Sequence, residues 1–138
     1  MKLMTHLFLV LLSAAAYGQY KTQIYVSPDG TGDFTTIQDA IDGTKSFPDE
    51  RITIVINDGV YQEKIKVHSW NTRLTLKGQT PDGAIIRWDD YFDKMKRGPN
   101  STFHTATLLV QGDDFRAENL TIENTAGPVG QAVALAVE

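Results

Sequence analysis

Short β-branched stretches recur along this chain at nearly constant intervals, and that period limits the possible folds more than anything else in the sequence. Ile65, Ile86, Leu108 and Ala132 are separated by 21 (86 − 65), 22 (108 − 86) and 24 (132 − 108). Ile54, Leu76 and Ile122 form a second series with intervals of 22 (76 − 54) and 46 (122 − 76), the latter twice 23. A repeat of this length is what stacked coils produce, because each coil buries the apolar face of its neighbour. A sandwich is the competing architecture, but its strands recur at about 8 to 12 residues. The spacing therefore predicts an all-β parallel β-helix in which residues one period apart become neighbours about 4.8 Å away.

The strands are read as Ile24–Val26, Ile52–Ile56, Lys64–Val67, Leu74–Lys77, Ala84–Trp88, Ala106–Gln111, Leu120–Glu123 and Gln131–Val137. Turn-forming runs such as Asn57-Asp58-Gly59 and Thr80-Pro81-Asp82-Gly83 separate them. Asp89 to Phe103 has little strand character and reads as a loop inserted into one coil. One helix is expected over Thr35–Asp42, with Ile37, Ala40 and Ile41 on a common face. Asp33 or Thr35 would cap its first amides, and Gly43 would end it.

The segment Ser27-Pro28-Asp29-Gly30-Thr31-Gly32-Asp33 precedes this helix and superficially resembles a phosphate cradle. It has no Lys after the glycines and completes no dinucleotide fingerprint, and its two carboxylates would repel an anion. A structural role fits better: the open end of a coil stack needs an atypical unit to cover it, and a short amphipathic helix would serve.

Residues 1–18 read as a signal peptide, with Lys2, an apolar run from Leu7 to Leu12 and small residues up to Gly18. The apolar run is too short for a span of about 20 residues. Cleavage near Gly18 and a secreted or periplasmic location follow as expectations, without a membrane anchor. Without Lys2 the basic count falls to 12 (13 − 1) against 17 acidic, a net charge of −5. That balance disfavours nucleic acid, whose backbone demands clustered cations. The chain has no cysteine, which excludes disulfides, thiol catalysis and thiolate metal sites. His68 and His104 fit no metal-ligand spacing, and Asp89, Asp90 and Asp93 lack the glycine and spacing of a calcium loop. These groups read as solvated surface residues, and no metal or cofactor is expected.

The segments "DGTGDFTTIQDAI", "INDGVYQEKIKV", "LTLKGQT", "STFHTATLLVQGDDFRAENLTIENTAG" and "QAVAL" together resemble the pectin methylesterase (pectinesterase) family, in family order from about Tyr25 to the last residue. The resemblance implies a right-handed parallel β-helix and hydrolysis of methyl esters on the galacturonic acid units of pectin, releasing methanol. It implies an Asp nucleophile, an Asp acid–base, an orienting Arg and glutamine amides at the oxyanion. Both aspartates, the Arg and one Gln lie after "QAVAL" in family members. The chain is therefore expected to be the N-terminal part of such a domain, spanning 19–138, inactive by itself and poorly stable because its last coil is uncovered.

By the same resemblance Gln131 is an oxyanion donor and substrate contact, Thr107 contacts the sugar, and Phe103 is a nearby aromatic contact. Ala136 stands where family members often have Arg. Thr107 and Gln131 differ in position by 24 (131 − 107), close to one period, which predicts similar places on adjacent coils. The expected partner is methyl-esterified homogalacturonan, bound by a monomer. The alternative from a different class is a non-catalytic carbohydrate-binding β-helix surface protein.

Overall fold

The computed structural model describes residues 19–138, and the signal-peptide reading of residues 1–18 lies outside them. The described chain winds into a parallel β-helix of three sheets. Strands β1 (Gln23–Val26), β2 (Ile52–Ile56), β5 (Leu74–Gly78) and β8 (Arg116–Glu118) stack in that order into the first sheet. Strands β3 (Gly59–Gln62), β6 (Ala84–Trp88) and β9 (Thr121–Asn124) form the second. Strands β4 (Ile65–Val67), β7 (Leu108–Val110) and β10 (Leu135–Val137) form the third. Every pairing is parallel. The expected architecture is therefore present, but its register differs from the one predicted.

Ile86 does not stand over Ile65. It pairs with Tyr61 and Ile122 in the second sheet, whereas Ile65 pairs with Leu108 and Leu108 with Leu135 in the third. Leu76 likewise pairs with Ile54 and Ala117 rather than being followed by Ile122. The cause lies in coil length. The step from Ile54 to its partner Leu76 is 22 (76 − 54), while that from Leu76 to Ala117 is 41 (117 − 76), so the second of these coils is nearly twice as long. The excess falls between β6 and β7 as helix α2 (Phe92–Met95) and a 3₁₀ segment (Gly98–His104). Two strands escaped the sequence reading: β3, whose glycine looked like a turn, and β8, all of whose residues are exposed.

The core is aliphatic and stacked. In β2 the burial alternates, with Ile52, Ile54 and Ile56 inside, and Leu74, Leu76, Ile86, Leu108 and Val67 line the same interior. At about 25 cal/mol per Å² of apolar surface, each buried Ile or Leu contributes roughly 1.5 to 3 kcal/mol. Tight coil stacking leaves no room for a side chain at Gly78, the last residue of β5, or at Gly112. A Cβ on Gly78 would overlap the Asn119 carbonyl oxygen, and one on Gly112 would come within 2.5 Å of that of Asn71.

Helix α1 (Ile37–Asp42) covers the first coil with Ile37, Ala40 and Ile41, all fully buried. Its cap is Thr36, whose hydroxyl accepts from the Asp39 amide, rather than Asp33 or Thr35. Asp33 is occupied elsewhere, accepting from the Tyr25 amide and pairing with Lys21. Glu63, from the next coil, accepts from the Ile37 and Gln38 amides at 2.9 and 3.0 Å, so a distant carboxylate satisfies the start of the helix. The glycine-bearing stretch before it is a self-contained turn. Ser27 and Thr31 donate to Asp29, and these bonds lower its pKa to about 2.

Candidate functional site

The outer face of the third sheet carries the candidate site. Lys66, Leu109 and Ala136 form one outward row across β4, β7 and β10, because the inward row is taken by Ile65, Leu108 and Leu135. The inserted segment folds back beside this row and delivers Phe103, which is 69% exposed. Phe103 stands between two hollows. One, of about 390 Å³, is lined by Thr102, Ala106, Val133 and Ala136, with Val137 and Glu138. The other, of about 290 Å³, is lined by Lys66, Met95, Arg97, His104 and Leu109, among others.

Gln131 is exposed and precedes β10, in the connection from β9. Its Oε1 accepts from the Thr102 hydroxyl at 2.7 Å, and its backbone carbonyl accepts from the Phe92 amide at 2.8 Å. With the carbonyl end of the amide occupied, the Nε2 group has no hydrogen-bond partner among the described residues. An amide whose oxygen is taken in this way keeps its two N–H donors free for a further acceptor. Thr102 was not singled out in the sequence, because no spacing rule links positions 102 and 131.

Thr107 departs from expectation. It is fully buried, and its hydroxyl donates inward to the Glu123 carbonyl at 3.0 Å, so it offers no atom to a ligand at the surface. Its backbone hydrogen-bond partner on the next coil is Val133, not Gln131. Ladder partners here are offset by 27 (135 − 108), more than the 24 (131 − 107) that separates the two side chains. Thr107 and Gln131 therefore do not occupy matching places on adjacent coils. The longer interval reflects the extended connection, 125–134, between β9 and β10.

The inserted segment is anchored by polar contacts that sequence reading had left in solvent. Asp90 is 7% exposed and accepts from Lys64 Nζ at 2.6 Å and from Lys94 Nζ at 3.1 Å. Burial pushes its carboxyl up, but the hydrogen bonds from the two lysines outweigh this and hold it below its ordinary value. The indole N–H of Trp88, which also faces Asp90, is buried without reaching hydrogen-bond geometry. Asn124 ties three stretches of chain together by donating to the carbonyls of Asp90, Thr105 and Val133. Thr105, fully buried, donates to the Thr102 carbonyl and accepts from the Val133 amide, which fixes Thr102 opposite Gln131. His68, by contrast, is stacked on Trp70 at 4.3 Å, and His104 is exposed.

Comparison with known proteins agrees with this architecture. The Pectinesterase family profile matches residues 23–138. A probable pectinesterase/pectinesterase inhibitor (number 23) of Arabidopsis thaliana is 40% identical over 121 residues, covering 87% of this chain and 21% of the relative. The chain thus spans about a fifth of the length of that relative. Among solved structures, pectin methylesterase from carrot superposes with a TM-score of 0.75 at 31% identity, over 83% of this chain and 35% of that one. A pectin methylesterase in complex with a hexasaccharide gives a TM-score of 0.72 at 29% identity, over 83% of this chain and 38% of that one. A stack of parallel coils in three sheets, matched by one family profile over residues 23–138, leaves one assignment: the chain belongs to the pectinesterase family.

Proposed function

We propose that these coils form the N-terminal wall of the substrate groove of a pectin methylesterase, which hydrolyses methyl esters of homogalacturonan to free carboxylate and methanol. The observation that carries this reading is the family match over residues 23–138. The Gln131 amide, oriented by Thr102 beside the exposed Phe103, supports it. When a nucleophile adds to the ester carbonyl, negative charge collects on the carbonyl oxygen. A neutral amide donor stabilises that charge without transferring a proton, and removing one such donor costs roughly 3 to 4 kcal/mol of transition-state stabilisation. In this reading Gln131 is the oxyanion donor and Phe103 packs on a sugar ring. Thr107 acts from inside the coil, by holding the strand entry rather than by touching the sugar. The aspartate nucleophile and acid–base belong to the part of the family domain that follows "QAVAL". Export after removal of residues 1–18, action as a monomer and a role in pectin breakdown complete the proposal. The hexasaccharide held by a related pectin methylesterase supports a carbohydrate occupant for the groove.

The test joins residues 19–138 in register to the remaining coils of the carrot protein and measures methanol release from methyl-esterified pectin. The wild-type joint is expected to be active, and Gln131→Ala to lower kcat by about 10² to 10³ with little change in KM. A folded joint without methanol release would overturn the function. Full activity in Gln131→Ala would overturn the role of the amide.

A further inference from the structure

The segment inserted between β6 and β7 leaves its coil at Asp90 and rejoins it at Thr105, 15 residues later (105 − 90). Two side chains close this neck from opposite sides. Lys64, on the preceding coil, donates through Nζ to the Asp90 carboxylate and to the His104 carbonyl, both at 2.6 Å, so one ammonium holds the two ends of the insertion together. Asn124, the last residue of β9 on the following coil, does the same through the backbone. Its Nδ2 donates to the Asp90 carbonyl at 2.8 Å and to the Thr105 carbonyl at 3.3 Å. The same group donates to the Val133 carbonyl at 3.2 Å, and its Oδ1 accepts from the Ala126 amide at 2.9 Å, so both ends of the Asn124 amide are engaged. The insertion in turn holds Gln131 at two points, with the Thr102 hydroxyl on its Oε1 and the Phe92 amide on its backbone carbonyl. Asn124 therefore grips both sides of the Thr102–Gln131 bond: the insertion at 90 and 105, and the connection that carries Gln131 at 133.

We propose that Asn124 and Lys64 are positioning residues for the Gln131 amide, acting through the neck of the insertion on a group that neither of them touches. The inference rests on the oxyanion reading of Gln131 above and adds the residues that hold that donor in place. Movement at the neck reaches the amide by a short path. The Thr105 amide and hydroxyl both bond the Thr102 carbonyl, at 3.1 and 2.8 Å, so Thr102 moves with Thr105. Thr102 then carries the oxygen of the Gln131 side chain with it. A hydrogen bond weakens steeply as it loses alignment, and a displacement of about 1 Å at a reacting centre costs about 10²-fold in rate. The chemistry at the clamp is specific. Asp at position 124 would have no N–H to donate and would set an anionic oxygen against three carbonyls. Arg at position 64 would keep a cation with several donors, and removing the Lys64 charge would still leave Asp90 paired with Lys94.

The experiment starts with the whole chain and needs no catalysis. Nitrogen relaxation NMR reads the order parameter of the Gln131 Nε2 group, identified as the side-chain signal missing in Gln131→Ala. It is expected near the rigid value of about 0.85 in the wild type and below about 0.6 in Asn124→Ala. The joined protein described above then gives kcat and KM on methyl-esterified pectin. Asn124→Ala and Asn124→Asp should each lower kcat by about 10- to 10²-fold with KM little changed, Lys64→Met should lower it several-fold, and Lys64→Arg should restore it. A residue that acts through Gln131 has nothing left to act on once that amide is gone, so Asn124→Ala should cost no further activity in Gln131→Ala. Losses that multiply in the double variant, or wild-type kcat in Asn124→Ala, overturn the positioning role. An order parameter unmoved by Asn124→Ala overturns it whatever the kinetics. Should Asn124→Ala fail to fold, Lys64→Met alone and combined with Gln131→Ala decides the same question. Full activity in Gln131→Ala by itself overturns the oxyanion reading instead.

Discussion

Replacing Thr107 with Val separates a structural role from a ligand-binding one. The side chain is fully buried, and its only polar contact among the described residues is the 3.0 Å bond donated to the Glu123 carbonyl. Val has nearly the same shape, so packing is preserved and the change removes one hydrogen bond, worth about 0.5 to 1.5 kcal/mol net. Leaving the Glu123 carbonyl short of a donor adds to this, for a total of about 1 to 2 kcal/mol. Thr107→Ser keeps the bond and deletes a methyl group, at a cost of about 0.8 kcal/mol. Urea unfolding followed by circular dichroism reads both. With a slope of about 2 kcal/mol/M, Thr107→Val should lower the midpoint by about 0.5 to 1 M with the slope unchanged. Binding of methyl-esterified oligogalacturonate should be unaffected. An unchanged midpoint together with several-fold weaker binding would refute the argument and return Thr107 to the groove.

Asp90 should behave as the anchor of the inserted segment, and Asp90→Ala is expected to cost about 2 kcal/mol and to raise proteolysis between α2 and the 3₁₀ segment. Because the folded-state pKa of Asp90 lies below its unfolded value, its contribution is fully present above the ordinary carboxylate range and is lost as pH falls through the folded pKa. Acid unfolding of Asp90→Asn should therefore start from a lower stability and fall less steeply below about pH 4 than that of the wild type. Glu63→Ala removes the acceptor of two α1 amides and should lower stability by about 1 to 2 kcal/mol, with the fastest hydrogen exchange appearing in the covering helix. Gly78→Ala forces a methyl into the Asn119 carbonyl, and thermal unfolding should show it as the most damaging of these substitutions, since only a shift of the coil spacing relieves the contact.

The architecture was legible because its physical cause is local. Strands that pack on similar neighbours repeat at the coil length, and the alternation of β2 or the Ile37, Ala40 and Ile41 face shows which side is buried without reference to any partner. Family resemblance singled out Gln131, Phe103 and Thr107; the first two are exposed and the third is buried.

Sequence by itself thus determined that the chain coils, how long a plain coil is and which faces are apolar, since these depend on spacing along one strand. Tertiary structure alone decided register. The segment inserted between β6 and β7 displaces every later partner, and no local signal says which of three sheets a short strand will join. That choice turned Thr107 inward, set Thr102 against Gln131, buried Asp90 between two lysines and left Lys66 and Arg97 facing one hollow. Contacts between residues distant in sequence are settled by how coils stack, and stacking energy belongs to the assembled core rather than to any segment of it.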